Sequence, residues 1–234
     1  MTATTDGRKN VAIYLWPNMF MLDVLVPHQI LGLVPELNVY TFARTTEPLQ
    51  SDTGMKLIAD YDLESVPQPD ILLIGGGMNP LTEMADETVI AALRKLGESA
   101  EMVTSVCDGS LILAQAGLLD GYRATTHWAY ADLLRRYPGV EVCDEDRVVT
   151  DRSRMTGGGC TSAIDFSYAL INHLVGPDTA AALELAFQYD PQPLFGVGTP
   201  AKAPPELIEA VRAMVEPMQE GLEEFVIQAT AARV

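Results

Sequence analysis

Cysteine and histidine are scarce in this chain of 234 residues, with three of each: Cys107, Cys143 and Cys160, and His28, His127 and His173. An odd cysteine count without metal-ligand spacing argues against a disulfide framework and against a zinc site. Basic residues are also few. Lys and Arg number 15 against 32 Asp and Glu, a formal net charge of −17. That balance speaks against nucleic-acid partners, which are held by basic patches that displace counterions, and against an anionic membrane surface. Solubility in a salty or crowded cytosol accounts for the acidity. Long apolar runs are missing too: the first ten residues are polar, with no signal-peptide core, and no uninterrupted apolar run reaches spanning length. The composition therefore points to a cytoplasmic, reducing location, a small-molecule partner and no membrane contact.

What is present is an alternation of short apolar runs and helical patterns. NVAIYLW at 10–16 reads as a buried first strand, preceded by a disordered tail over 1–9. Residues 20–33 predict a helix that kinks or restarts at Pro27. Further strands are expected at 38–43, at 70–77 ending in Gly75, Gly76 and Gly77, and at 102–106. Helices are expected over 86–99, 109–118 and 126–136, an edge hairpin or ribbon over 140–156, and helices to about 174 and about 188. A proline-rich loop at 190–205 precedes a last helix over 205–231. Strands alternating with helices imply an α/β fold, one domain over 10–234, with a mostly parallel sheet covered on both faces. In such sheets ligands bind outside the carboxyl ends of the strands, where the glycine runs at 75–77 and 157–159 and Cys107 all fall.

Cys107 stands in EMVTSVCDGSLILAQAGLL at 101–119, where an apolar run stops at the cysteine and a small-residue turn opens a helix. That is the layout of a nucleophile elbow, and a helix N-terminus behind a cysteine favours the thiolate. A core cysteine is the alternative. The triple glycine lacks both GxGxxG and a P-loop lysine, so a nucleotide site is not indicated. Either it is a plain tight turn, or it passes close to Cys107 and offers the Gly77 amide, with that of Asp108, to a developing oxyanion. Asp23 interrupts the apolar MFMLDVLV at 19–26 and is either a helix cap or a carboxyl kept neutral by burial. Asp108 is welcome at a helix start yet opposes ionisation of the neighbouring sulfur. His127 could serve Cys107 as a base, or belong to a Thr-capped helix start with a packed His–Trp pair. Cys143 and Cys160 read as structural, with Cys160 placed to line the crevice from its glycine turn.

Taken together, VCDGSL around Cys107 with AGLL, GYRATTHWAY at 121–130 and TGGGCTSAID at 156–165 resemble the ThiJ/PfpI superfamily, and LDVLVPH at 22–28 resembles its isocyanide hydratase branch. The resemblance implies a flavodoxin-like three-layer sandwich, a homodimer, and an enzyme that converts an isocyanide to an N-substituted formamide through a covalent thioimidate, without cofactor or metal. It makes Cys107 the nucleophile and Asp23 its acid partner. It places Asp108, Gly76, Gly77, His127 and Gly159 around the sulfur and substrate. One departure stands out: similar hydratases usually carry threonine where this chain has Asp108, a change that could raise the cysteine pKa or alter the substrate. Protease-like relatives carry histidine there, which weakens a peptidase reading. AraC-type regulators need a helix-turn-helix domain after a similar amino-terminal one, for which the elements expected up to Val234 leave no room. The remaining rivals are another cysteine enzyme, hydrolase-like or glyoxalase-like, acting on a small electrophile, and a redox or ligand sensor.

Overall fold

Strands that are apolar on every residue have to be covered on both faces, and the architecture follows from that requirement. The computed structural model describes residues 7–231. Its first half runs β1 (Lys9–Tyr14), α1 (Met21–Leu31), β2 (Leu37–Ala43), β3 (Leu49–Gln50), β4 (Lys56–Leu57), β5 (Tyr61–Asp62), β6 (Ile71–Ile74), α2 (Leu81–Ala85), α3 (Glu87–Ser99), β7 (Met102–Val106) and α4 (Gly109–Gln115). The second half runs β8 (Arg123–Ala124), α5 (Ala131–Leu134), β9 (Glu141–Val142), β10 (Val148–Asp151), β11 (Arg154–Gly157), α6 (Ser162–Leu174), α7 (Pro177–Ala186), α8 (Pro205–Val215) and α9 (Leu222–Ala231).

The main sheet has the strand order β10-β11-β7-β6-β1-β2-β5 and is parallel except for the β10–β11 pair at its edge. Every residue of β6 and β7 is buried. Helices α1, α6 and α7 pack together as one group and α2 to α5 as another, flanking the sheet as the alternating pattern predicted. Helix α3 shows how: Val89, Ile90, Leu93 and Leu96 repeat at helical spacing and are all buried, and Asp86 caps it by accepting from the amides of Thr88 and Val89.

The register sets the site. Ile74 pairs with Ser105 and Gly157 with Val106, so the carboxyl ends of β6, β7 and β11 lie side by side. The turns that leave them carry Gly75 to Gly77, Cys107 and Gly158 to Cys160.

Several expected boundaries move. Of the tail expected at 1–9, residues 1–6 lie outside the described residues, and Lys9 already belongs to β1. Helix α1 continues through buried Pro27 without restarting. The Asp23 carbonyl, which loses its i+4 donor there, lies against Gly75, where an added Cβ would come within 3.3 Å of it. The expected helix at 126–136 shrinks to a 3₁₀ turn at Trp128–Tyr130 and the four residues of α5, because Pro138 and Gly139 end it. The segment 140–156 is not one ribbon: β9 pairs with β8 in parallel, and β10 with β11. The last helix breaks into α8 and α9 around Pro217 and Gly221, the latter at φ 72°.

Gly109 opens α4 with its Cα pressed on the end of β6: an added Cβ would lie 2.3 Å from the Ile74 carbonyl oxygen, whereas one at Gly198 would meet nothing within 4 Å. Gly109→Ala is therefore expected to cost about 1–3 kcal/mol by overpacking against backbone. Urea midpoints should fall for this variant and stay unchanged for Gly198→Ala; equal midpoints would contradict the close approach.

Candidate active site

Cys107 has φ 58°, a left-handed conformation that non-glycine residues rarely adopt. Its amide donates to the carbonyls of Gly157 at 3.0 Å and Gly158 at 2.7 Å. Its carbonyl accepts from Ser110 Oγ and Thr126 Oγ1, both at 3.1 Å. Four bonds from the neighbouring turns thus hold the strained elbow, and the side chain is only 1% exposed.

Two carboxyls converge on it. Asp23 is fully buried in the first turn of α1 and caps nothing in its own helix. Its Oδ2 accepts from the Gly76 amide at 2.9 Å, while Oδ1 is buried with no partner among the described residues. Asp108 precedes α4 without capping it; its Oδ1 accepts from the Gly77 amide at 2.9 Å. The Gly77 amide, expected to face a developing oxyanion, is therefore engaged by a carboxyl instead. The glycines are needed for the close approach: a Cβ on Gly76 would sit 1.9 Å from Asp108 Oδ1 and 2.8 Å from Cys107 Cβ.

Cys160, read as structural but placed to line the crevice, joins Asp23 and Cys107. A carboxylate oxygen of Asp23, Cys107 Sγ and Cys160 Sγ all lie within 4.8 Å of one another. Spacing of 53 positions along the chain hid this; the pairing of β11 with β7 creates it. Among the described residues, these three are the group able to hold a metal, and a soft cation would have to displace the thiol protons first. Tyr130 is an unanticipated neighbour. Its hydroxyl is buried without a partner among the described residues, and burial, then the charges of Asp108, Cys107 and Cys160, raise its pKa.

His127 is placed otherwise than a base for Cys107 would be. Its Nδ1 accepts from the Ala129 amide at 3.2 Å, capping the 3₁₀ turn. Its ring packs on Trp128 and Tyr130, with centroids at 5.6 and 5.9 Å. Burial lowers its pKa to about 4, so it is neutral at physiological pH. Gly159 lies against this ring, where an added Cβ would be 2.9 Å from His127 Cδ2. The packed His–Trp pair is thus what the fold contains, with histidine rather than threonine as the cap.

Burial dominates the electrostatics. It raises the Asp23 pKa well above the usual carboxylate value, with Cys160 and Asp108 adding to the effect. It lifts Asp108 to about 7. The hydrogen bond shared with Cys160, burial and the two acids push the Cys107 thiol up. The same interaction lowers Cys160, which is less buried. Asp108 therefore opposes ionisation of Cys107 rather than assisting it from a helix cap.

The DJ-1/PfpI family pattern matches residues 9–173 of the chain. Over 207 residues the sequence is 39% identical to the isonitrile hydratase of Pseudomonas putida, an alignment spanning 88% of this chain and 90% of that enzyme. It is 34% identical over 141 residues to the transcriptional regulator CdhR of Pseudomonas aeruginosa, spanning 60% of this chain but 41% of that protein. A ThiJ/PfpI family protein from Pseudomonas syringae superposes with a TM-score of 0.88 at 31% identity, over 96% of this chain and 91% of the other.

Asp108 also ties stability to pH. Its carboxyl titrates near 3.8 when unfolded and near 7 when folded. Between those values the folded state holds the extra proton, so raising pH through the window removes stability, by at most about 1.4 kcal/mol per pH unit. Asp23 acts in the same direction. Asp108→Asn keeps the acceptor for Gly77 and removes one titration. Denaturation midpoints at pH 5 and pH 7.5 should fall for wild type and fall less for the variant; identical losses would contradict a raised Asp108.

Proposed function

The chain belongs to the DJ-1/PfpI family, and from that premise we propose that it is an isonitrile hydratase, adding water to a small organic isocyanide to give an N-substituted formamide. The observation that carries this reading is the buried carboxyl of Asp23, one oxygen held by the Gly76 amide and the other left without a hydrogen-bond partner among the described residues, within 4.8 Å of Cys107 Sγ on a strained elbow. The 39% identity to the Pseudomonas putida isonitrile hydratase supports it.

The terminal carbon of an isocyanide accepts a nucleophile and a proton at the same atom. Cys107, as thiolate, forms the S–C bond, and Asp23 gives its proton to that carbon, leaving a thioimidate on the sulfur. Asp23, now a carboxylate, takes a proton from incoming water as its oxygen adds to the carbon, and passes that proton to nitrogen. Collapse to the formamide breaks the C–S bond, returns the thiolate to Cys107 and returns the remaining proton to Asp23. Water is consumed and nothing is oxidised or reduced. Asp108 is a positioning residue here, holding Gly77 and damping thiolate formation until substrate is bound.

Acyl transfer makes a different demand. It needs two free donors for an oxyanion from the outset, and of the Gly77 and Asp108 amides the first is already given to a carboxyl. The geometry therefore favours proton delivery to carbon over hydrolase chemistry.

Formamide formation from para-nitrophenyl isocyanide tests the proposal. Wild type should turn over and Cys107→Ala should be inactive. Asp23→Asn, which keeps the Gly76 bond but cannot donate an acidic proton, should lose about 10²–10⁴-fold in kcat. Turnover surviving in Cys107→Ala, or wild type inert with its thiols reduced, would refute the assignment.

A further inference from the structure

Cys160 takes no part in the hydration outlined above, yet its sulfur lies beside the reacting one. Its position has three features. Its Sγ lies within 4.8 Å of Cys107 Sγ, so forming an S–S bond of about 2.05 Å asks the atoms to close by about 2.8 Å at most. The backbone is held at both ends, Cys107 at its amide and carbonyl and Cys160 at its carbonyl, so the closure falls to rotation of the two side chains. Finally, Cys160 is half-buried, whereas Cys107 is 1% exposed.

We propose that Cys107 and Cys160 form a reversible intramolecular disulfide when the protein meets a peroxide, with Cys160 oxidised first and Cys107 closing the bond. Cys160 attacks one peroxide oxygen, the O–O bond breaks, and the leaving oxygen departs as water or an alcohol after taking a proton. The product is a sulfenic acid on Cys160. Cys107 sulfur then attacks Cys160 sulfur, the S–OH bond breaks, and the hydroxide leaves as water with the proton from the Cys107 thiol. The two sulfurs lose two electrons and the peroxide gains them. The less buried sulfur is also the one whose pKa is lowered by its neighbours, which agrees with this order because the thiolate is the attacking form. The bond ties up the Cys107 sulfur in a form that thiols can reduce, ahead of irreversible sulfinic acid. Cys143 stands apart after β9, its sulfur accepting from Arg123 Nη2 at 3.4 Å.

The inference does not depend on the hydratase reading, because the test counts thiols rather than turnover. The full chain is treated with stoichiometric hydrogen peroxide, alkylated, digested without reductant and mapped by mass spectrometry. The expected products are a linked Cys107–Cys160 peptide pair, an alkylated Cys143, and recovery of all thiols with dithiothreitol. In Cys107→Ser, Cys160 should stop as a sulfenic acid that dimedone traps. In Cys160→Ser, Cys107 should react several-fold more slowly than Cys160 does in Cys107→Ser, and run on to sulfinic acid. Wild-type mapping decides the matter even if a variant fails to fold. Sulfinic acid on Cys107 with Cys160 still alkylated, a link through Cys143, or no loss of thiols would each overturn the proposal.

Discussion

Cys107 is held at φ 58°, a backbone conformation that costs about 1–3 kcal/mol and persists only because its surroundings enforce it. The carbonyls of Gly157 and Gly158 take its amide, and the hydroxyls of Ser110 and Thr126 take its carbonyl. These bonds join the ends of β7 and β11 and aim the sulfur at α1 and the glycine turn after β6. There the Gly76 and Gly77 amides hold Asp23 and Asp108. A cysteine without this backbone would point elsewhere, and the two acids would face nothing.

That convergence fixes where the protons reside. Two unit charges 4.8 Å apart repel by about 3.5 kcal/mol at an effective dielectric of about 20, or roughly 2.5 pKa units, before any cost of burial. A Cys107 thiolate and an Asp23 carboxylate oppose each other in such a space. The Asp23 carboxyl is therefore pushed well above the usual carboxylate range, Asp108 is lifted to about 7, and the Cys107 thiol is pushed up. The same crowding that suppresses the resting thiolate supplies an acidic proton beside it, which is what addition to an isocyanide carbon requires.

Much of this arrangement was legible in the sequence because it is local. An apolar run ending in Cys107-Asp108-Gly109, three glycines closing another strand, and one acid inside MFMLDVLV each carry their meaning within a few residues. They foretold the mostly parallel sheet and set Cys107 and the glycine turns at the carboxyl ends of its strands, while the family resemblance supplied Asp23 as the partner of Cys107. What escaped depends on long-range register. Cys160 meets Cys107 only because β11 lies next to β7 in the sheet, and no spacing rule along the chain encodes that neighbour. Tyr130 comes near the two sulfurs and Asp108 for a similar reason. The directions taken by side chains were also out of reach: Asp108 abandons its helix cap for Gly77, and His127 spends Nδ1 on Ala129. The break at Pro217 and Gly221 was written in the chain, and the apolar periodicity of residues 205–231 masked it.

The account's central claim is that Asp23 is a neutral acid at physiological pH while it faces Cys107. Infrared difference spectra of wild type against Asp23→Asn, taken as a function of pH, read that state directly. The account predicts a protonated-carboxyl C=O stretch, present at neutral pH and absent from the variant, that gives way to carboxylate bands only in the alkaline range. A difference spectrum showing Asp23 already as a carboxylate at pH 7 would contradict it and remove the proton donor on which the proposed chemistry rests.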